Sequence, residues 1–262
     1  MKRFFSMVVL VLLSVFSFSS AHAWDDSLFQ YSTINTLLSG YYDGDLNFST
    51  LAEHGDLGLG TLNHLDGEMI ALDGRFYQVK TDGKVYPVDG RRYTPFAVVT
   101  HFDVDRSFLL PSGLDYPALQ QVLEKHISNK NHFYAFRIRG HFQNLTVRSV
   151  PAQTRPYQPL VDVIKDQVKF QYADQKGTLV GFYTPGYMKG LNIPGFHFHF
   201  LSLDRSRGGH VLALETKTGV VEVDEIHEFA VSLPESQAFA ELNLSADQKK
   251  ALDKVEKASP SH

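Results

Sequence analysis

The segment Gly195-Phe196-His197-Phe198-His199-Phe200 restricts the fold more than any other stretch of the chain. A strand sends alternate side chains to opposite faces. As a strand, this segment puts three phenylalanines on one face and His197 and His199 on the other. The phenylalanines require a core on their side. The other face carries two imidazoles, a surface suited to chemistry rather than to packing. Residues 204–209 then read as a turn by composition, and the chain returns with His210. A hairpin centred near Asp204-Arg205 sets His199 opposite His210, with Cβ atoms about 5 Å apart. His197 lies two residues along the same face. A one-residue bulge at Gly208-Gly209 would change this register.

Three neutral imidazoles converging in this way suit Zn²⁺ or another first-row divalent ion. Three protein ligands with positions left open is the arrangement of a catalytic site. The chain has no cysteine, so thiolate metal sites and cysteine nucleophiles are excluded. His54, His64, His101, His126, His132, His141, His227 and His262 show no comparable spacing and read as ordinary histidines.

The amino terminus reads as an export signal spanning residues 1–23. Lys2 and Arg3 precede an apolar run over residues 7–18, and Ala21-His22-Ala23 has the small-x-small pattern of a cleavage site. A run of roughly 12 residues is too short for a spanning helix, which needs about 20. The expectation is an exported protein, periplasmic or extracellular, starting at Trp24 and free of the membrane after cleavage. Removing two basic residues from 25 leaves 23 against 29 acidic ones, a mature charge of −6. That balance argues against nucleic acid as a partner and suits a small-molecule substrate. Without disulfides, stability has to come from packing, a metal or a partner subunit.

About 240 mature residues allow one large domain or two small ones. Residues 26–40 read as a helix, with Leu28, Phe29, Ile34, Leu37 and Leu38 on one side and Gly40 as its stop. Residues 50–105 read as a strand meander, punctuated by Asp66-Gly67, Asp73-Gly74 and Asp82-Gly83. Residues 117–127 form a second helix and 158–165 a short third one. Strands are expected at 133–139, 145–150, 169–172, 178–183, 195–203, 210–216 and 220–233. A final helix begins at Ser245, which has capping-box spacing to Gln248. The fold class is β-rich mixed α/β: two closely packed sheet-containing domains with a few helices and the metal site on a hairpin. The division is placed at residues 24–140 and 141–262, although no linker marks it.

Further runs accompany the hairpin. Gly181-Phe182-Tyr183-Thr184-Pro185 and Ile193-Pro194 precede it, and Val211-Leu212 follow His210. Upstream stand Gly60-Thr61-Leu62, Leu65-Asp66-Gly67-Glu68, Leu72-Asp73-Gly74 and Thr94-Pro95-Phe96-Ala97. Between them lie Phe133-Tyr134-Ala135 with Arg137-Ile138 and Gly140, then Arg148-Ser149-Val150-Pro151 with Pro156-Tyr157 and Pro159-Leu160. Together, in order across nearly the whole mature chain, they resemble the bacterial α-acetolactate decarboxylases. The resemblance implies loss of CO₂ from (S)-2-acetolactate to give (R)-acetoin. It implies zinc on His197, His199 and His210, with Glu68 and Arg148 at the site. A glutamate from the carboxy-terminal tail approaches the metal centre in that family, and Glu256 in Val255-Glu256-Lys257-Ala258 matches it. Members are two-domain α/β proteins, commonly homodimers. Arg139 departs from the acidic residue of some relatives.

The chemistry of that reaction asks for few groups. Departing CO₂ leaves an electron pair that moves onto the ketone oxygen, giving an enediolate that a Lewis acid stabilises. The substrate is its own electron sink, so neither thiamine nor pyridoxal is needed, and no Gly-rich phosphate cradle is present. Arg148 offers a planar, permanently charged fork to the substrate carboxylate, with Arg137 as the alternative. Glu68 is the expected proton donor to the enediolate carbon if burial raises its pKa. Thr61 is a secondary substrate contact. Blander roles stay open for each: a strand-face salt bridge for Arg148, solvated carboxylates for Glu68 and Glu256. Two other functions compete. A cupin-like metal oxygenase or isomerase also uses an H-x-H strand, but the glutamate expected shortly after the pair is missing and Asp204 is a poor substitute. A non-catalytic exported metal-binding protein would close its site with a fourth protein ligand.

Overall fold

The computed structural model describes residues 26–256; residues 1–23, read above as an export signal, Trp24 and the residues after Glu256 lie outside the described residues. Its strands are β1 (Ser27–Tyr31), β2 (Leu46–Asn47), β3 (Leu57–Thr61), β4 (Glu68–Leu72), β5 (Arg75–Val79), β6 (Val85–Pro87), β7 (Tyr93–Thr94), β8 (Ala97–Thr100), β9 (Arg106–Leu109), β10 (Phe133–Ser149), β11 (Val168–Thr184), β12 (Gly195–Ser202), β13 (Gly208–Ile226) and β14 (Glu228–Ser232). The helices are α1 (Ile34–Leu38), α2 (Phe48–Leu51), α3 (Tyr116–Glu124), α4 (Leu160–Val163), α5 (Gln237–Ala240) and α6 (Lys249–Glu256). This is the β-rich mixed class expected. No helix among the described residues is long and apolar enough to cross a membrane.

A seven-stranded sheet runs in the order β14-β1-β8-β3-β4-β5-β6. A five-stranded sheet runs β10-β11-β12-β13-β9, and β10 also pairs with β13, so this second sheet closes on itself. The two sheets exchange ends of the chain: β9 joins the second sheet, and β14 returns to pair with β1 in the first. Residue 140, where the sequence placed a division, lies inside β10. β10, β11 and β13 run on through the positions read as breaks, while the strand read over 220–233 divides at His227 into the end of β13 and β14 of the other sheet. Gly140 aligns with Gly177 on one side and Gly219 on the other, and a Cβ on Gly219 would stand 2.9 Å from the Gly140 Cα. Glycines are needed there for backbones to pass closely, so they do not end the strands.

Local signals are otherwise met. Asp73 and Gly74 both take positive φ, 52° and 71°, in the two-residue turn between β4 and β5. The Asp115 carboxylate accepts from the Ala118 N–H at 2.8 Å and caps α3, with Pro117 in its first turn. Residues 26–40 are not one helix. All five residues of β1 are buried, between β8 and β14, and a strand buried on both faces shows no alternation for the sequence to display. Ser32 at φ 65° ends it, and the Thr33 hydroxyl caps α1. The last helix starts at Lys249, later than Ser245, with the Asp247 carboxylate accepting from the Lys249 N–H at 2.9 Å.

Apolar packing fills both faces of each sheet. Leu59, Ile70 and Val98 of the first sheet meet Val180, Phe182 and Leu201 of the second, in one cluster with Leu37, Leu160 and Val255 from α1, α4 and α6. Phe136, Phe142, Phe198 and Phe200 pack with Leu119 and Leu123 of α3 on the far face of the second sheet. The site described next lies where the sheets face each other, under those three short helices.

Candidate metal centre

Alternation along β12 sends Phe198 and Phe200 into the α3 side, both fully buried, and turns His199 and Leu201 toward the first sheet. His199 pairs with His210, Phe200 with Gly209 and Leu201 with Gly208. That is the hairpin register read from the sequence. The bulge lies further on: Thr146 opposes Ala213 and Val147 opposes Val211, so β13 carries Leu212 as an extra residue against β10.

One ligand atom from each of His197, His199 and His210 lies within 4.8 Å of the others. His197 Nε2 is 2.9 Å from His210 Nδ1. His199 Nδ1–H donates to the Met69 carbonyl at 2.8 Å, which leaves Nε2 as the nitrogen with a free lone pair. That Nε2 is buried and has no hydrogen-bond partner among the described residues. Burial, aided by the Arg148 charge, holds the imidazoles below their ordinary range, His199 down to about 3. They are therefore neutral, the form a metal requires. A dry, unpaired lone pair among converging imidazoles is a donor set that fits a divalent cation.

Two carboxyls flank the triad. Glu68, which opens β4 after the Asp66-Gly67 turn, places Oε2 3.6 Å from His199 Nε2. Glu256, at the end of α6, places Oε2 3.9 Å from His197 Nε2 and 3.8 Å from His210 Nε2. Burial raises both to about 7, against the opposing pull of Arg148. Neither is the solvated carboxylate left open above. Arg148 on β10 is the register partner of His210 and is 4 % exposed. Its nearest carboxylate oxygens are at 3.9 Å on Glu68 and 4.0 Å on Glu256, outside hydrogen-bond reach. Its Nε and Nη1 have no partner among the described residues. Unfilled buried donors cost about 1–3 kcal/mol each, more when charged, so this guanidinium has N–H groups to offer an anion.

The cavity is walled on its apolar side by residues including Ile34, Leu37, Phe96, Ile193 and Val255. A larger cleft meets it at Ile193, His197, His210 and Glu256. Thr61 also lines the cavity, but its hydroxyl donates to the Gly67 carbonyl at 2.6 Å and so steadies the turn before Glu68. Arg137 is not available to substrate: it pairs with Glu222 at 2.7 Å and Asp73 at 3.3 Å. Asp204 spends its carboxylate on Ser202 and Ser206 within the hairpin turn, which removes the ligand a cupin-like site would need. Sequence reading missed the Met69 carbonyl, a backbone group that leaves no residue signature. It had Ile34 and Leu37 as apolar helix positions and gave no sign that they wall a cavity.

The model of the family described as alpha-acetolactate decarboxylase matches residues 28–246. The chain belongs to this family. As a member of the alpha-acetolactate decarboxylases it is a carboxy-lyase that decarboxylates acetolactate. An alpha-acetolactate decarboxylase of Methylococcus capsulatus is 47% identical over 232 residues, covering 88% of this chain and 89% of its own. One from Methanosarcina mazei is 46% identical, covering 88% of this chain and 81% of its own. The crystal structure of alpha-acetolactate decarboxylase from Bacillus subtilis superposes with a TM-score of 0.87 at 34% identity, covering 88% of this chain and 100% of that one. Membership sets aside the oxygenase, isomerase and non-catalytic readings. The family match ends at residue 246, before α6 and Glu256.

Proposed function

We propose that this decarboxylase converts (S)-2-acetolactate to (R)-acetoin and CO₂ using zinc, or another first-row divalent ion, held by His197, His199 and His210. One observation carries the reading. A buried guanidinium with unfilled N–H groups and a buried imidazole nitrogen with an unfilled lone pair line a single cavity. The first suits a carboxylate and the second a cation, and the substrate supplies a carboxylate next to oxygens that a cation can polarise. When bound, the metal supplies Lewis acidity for the negative charge that develops as CO₂ leaves.

The chain's own groups do the rest. Arg148 grips the carboxylate and sets which bond is aligned for cleavage. Glu68, poised near neutrality by burial, holds a proton on the His199 side and delivers it to the carbon that lost CO₂. Glu256 closes the site from the His197 and His210 side. A donor fixed on one side favours a single product configuration. The apolar wall takes the substrate's methyl groups and excludes water.

Export rests on residues 1–23, which precede the start of the family match at residue 28. A homodimer rests on the resemblance and is checked by light scattering of the purified chain. The decisive assay is acetoin release from acetolactate. A chelator should abolish it and zinc restore it; a chelated enzyme at full rate removes the metal. Glu68→Gln should keep its metal and lose most turnover, and full activity in that variant removes the proton-donor role.

A further inference from the structure

A second group of metal-competent side chains lies where the two sheets exchange strands. One ligand atom from each of His132, Glu225 and His227 lies within 4.8 Å of the others, the bound that the His197, His199 and His210 set also meets. His132 precedes β10, Glu225 stands near the end of β13, and His227 is the single residue between β13 and β14. β10 and β13 belong to the second sheet, whereas β14 lies against β1 in the first.

The orientations suit ligation. His132 Nδ1 is 3.0 Å from Glu225 Oε1, and the two imidazole rings meet edge to face with centroids 4.7 Å apart. His227 Nδ1 lies 2.8 Å from Asp26 Oδ2, just before β1. A carboxylate on one imidazole nitrogen fixes the tautomer and aims the other nitrogen as a ligand. On His132, Nε2 accepts from the Asn129 side-chain amide at 3.0 Å, so Nδ1 carries the proton toward Glu225, and ligation through Nδ1 requires that amide to turn its oxygen to Nε2–H. Glu225 is held in place by Tyr134 Oη at 2.7 Å, Ser128 Oγ at 2.8 Å and Arg106 Nη2 at 2.9 Å, the last on Oε2. The surroundings are acidic: Asp105 accepts from the Glu225 N–H at 2.7 Å, and Asp26, Asp103 and Asp105 all act on the neighbouring Asp224. Metal–ligand bonds near 2.1 Å bring tetrahedral ligands to roughly 3.4 Å from each other. The His132–Glu225 pair is already that close, and the His227 ligand atom lies within 4.8 Å of both on a side chain that is 54% exposed.

We propose that His132, Glu225 and His227, with Asp26 orienting His227, form a second divalent transition-metal site that clips the two sheets together. Two imidazoles and one carboxylate select zinc, cobalt or nickel over calcium or magnesium. The site is structural. It is reached from solvent, shares no residue with the first centre, and stands whether or not the catalytic roles above hold. It also gives a cysteine-free chain a cross-link between its sheets.

The test is cobalt(II) titration of the metal-stripped mature chain, followed by visible absorption and equilibrium dialysis. The wild type should take up two equivalents. His132→Gln/His227→Gln should take up one and keep full zinc-restored decarboxylation. His199→Ala should still bind at the second site and show a cobalt-induced rise in Tm that His132→Gln/His227→Gln removes. Asp26→Asn, a surface change that leaves the ligands in place, should weaken the second equivalent by about 10–100-fold. Unchanged stoichiometry in the double variant, or no cobalt uptake by His199→Ala, overturns the proposal, whereas a single wild-type equivalent that the double variant loses removes the first centre and not the second.

Discussion

Gly209 separates the backbone that carries His210 from the backbone that carries Arg148, so Gly209→Ala tests whether that spacing sets the site. The residue sits at φ +136°, and a Cβ there would lie 2.5 Å from the Arg148 carbonyl oxygen and 3.1 Å from Val147 Cγ2. Ordinary contact begins at 3.4 Å, so β13 must move about 0.9 Å from β10, which is 3.4 less 2.5. The backbone conformation costs about 1–3 kcal/mol with a side chain present. Overpacking adds about 1–3 kcal/mol, for a loss of roughly 2–6 kcal/mol. A displacement near 1 Å in a preorganised site costs on the order of 10²-fold in rate. Gly209→Ala should therefore unfold at lower urea, bind zinc more weakly in competition with a chromophoric chelator, and lose about two orders of magnitude in kcat/KM. Gly113→Ala is the control: its φ is +75° with nothing within 4 Å of the added Cβ, so it isolates backbone strain from displacement. If Gly209→Ala keeps wild-type zinc affinity and rate while losing only as much stability as the control, the spacing argument is wrong.

Arg148→Lys keeps the charge and loses the fork, so KM should rise and kcat fall in steady-state kinetics; unchanged kinetics would move carboxylate binding elsewhere. Gln248→Ala removes the amide that donates to Ser39 Oγ at 2.9 Å and the Asn35 carbonyl at 3.3 Å, contacts that dock α6 on α1. It should loosen the helix that ends in Glu256, lowering kcat more than Tm; a parallel fall in both would mean the contact is merely structural. Hydrogen bonds from the Ser202 hydroxyl and from Ser206 hold the Asp204 carboxyl down to about 2. A depressed carboxyl stabilises the fold above its unfolded value of about 3.9 and loses that contribution as pH falls through its folded value. The stability gap between wild type and Asp204→Ala should therefore be complete above pH ~4 and close toward pH ~2 in urea titrations. A gap independent of pH would show that the charge plays no part in the turn.

Local periodicity carries some features of this protein completely. Phe196 to Phe200 state which face of β12 is core, and the turn residues that follow are enough to bring His210 opposite His199. Asp73-Gly74 likewise specifies its own turn. Periodicity fails where burial is two-sided. β1 is covered on both faces, so its apolar spacing passed for part of a helix. Glycines that look like strand ends become close crossing points once three strands lie side by side.

The residue types alone fixed the hairpin and its imidazole face, because alternation and turn chemistry act over a few neighbouring residues. Only the tertiary structure decided that Glu68, Arg148 and Glu256 are buried around that face. Their charge states depend on desolvation by segments far away in sequence. It also decided that His132 and His227, isolated in the sequence, meet Glu225 at the strand exchange between the sheets. Such meetings are set by the closure of one sheet and the return of β14 to the other, which no local pattern encodes.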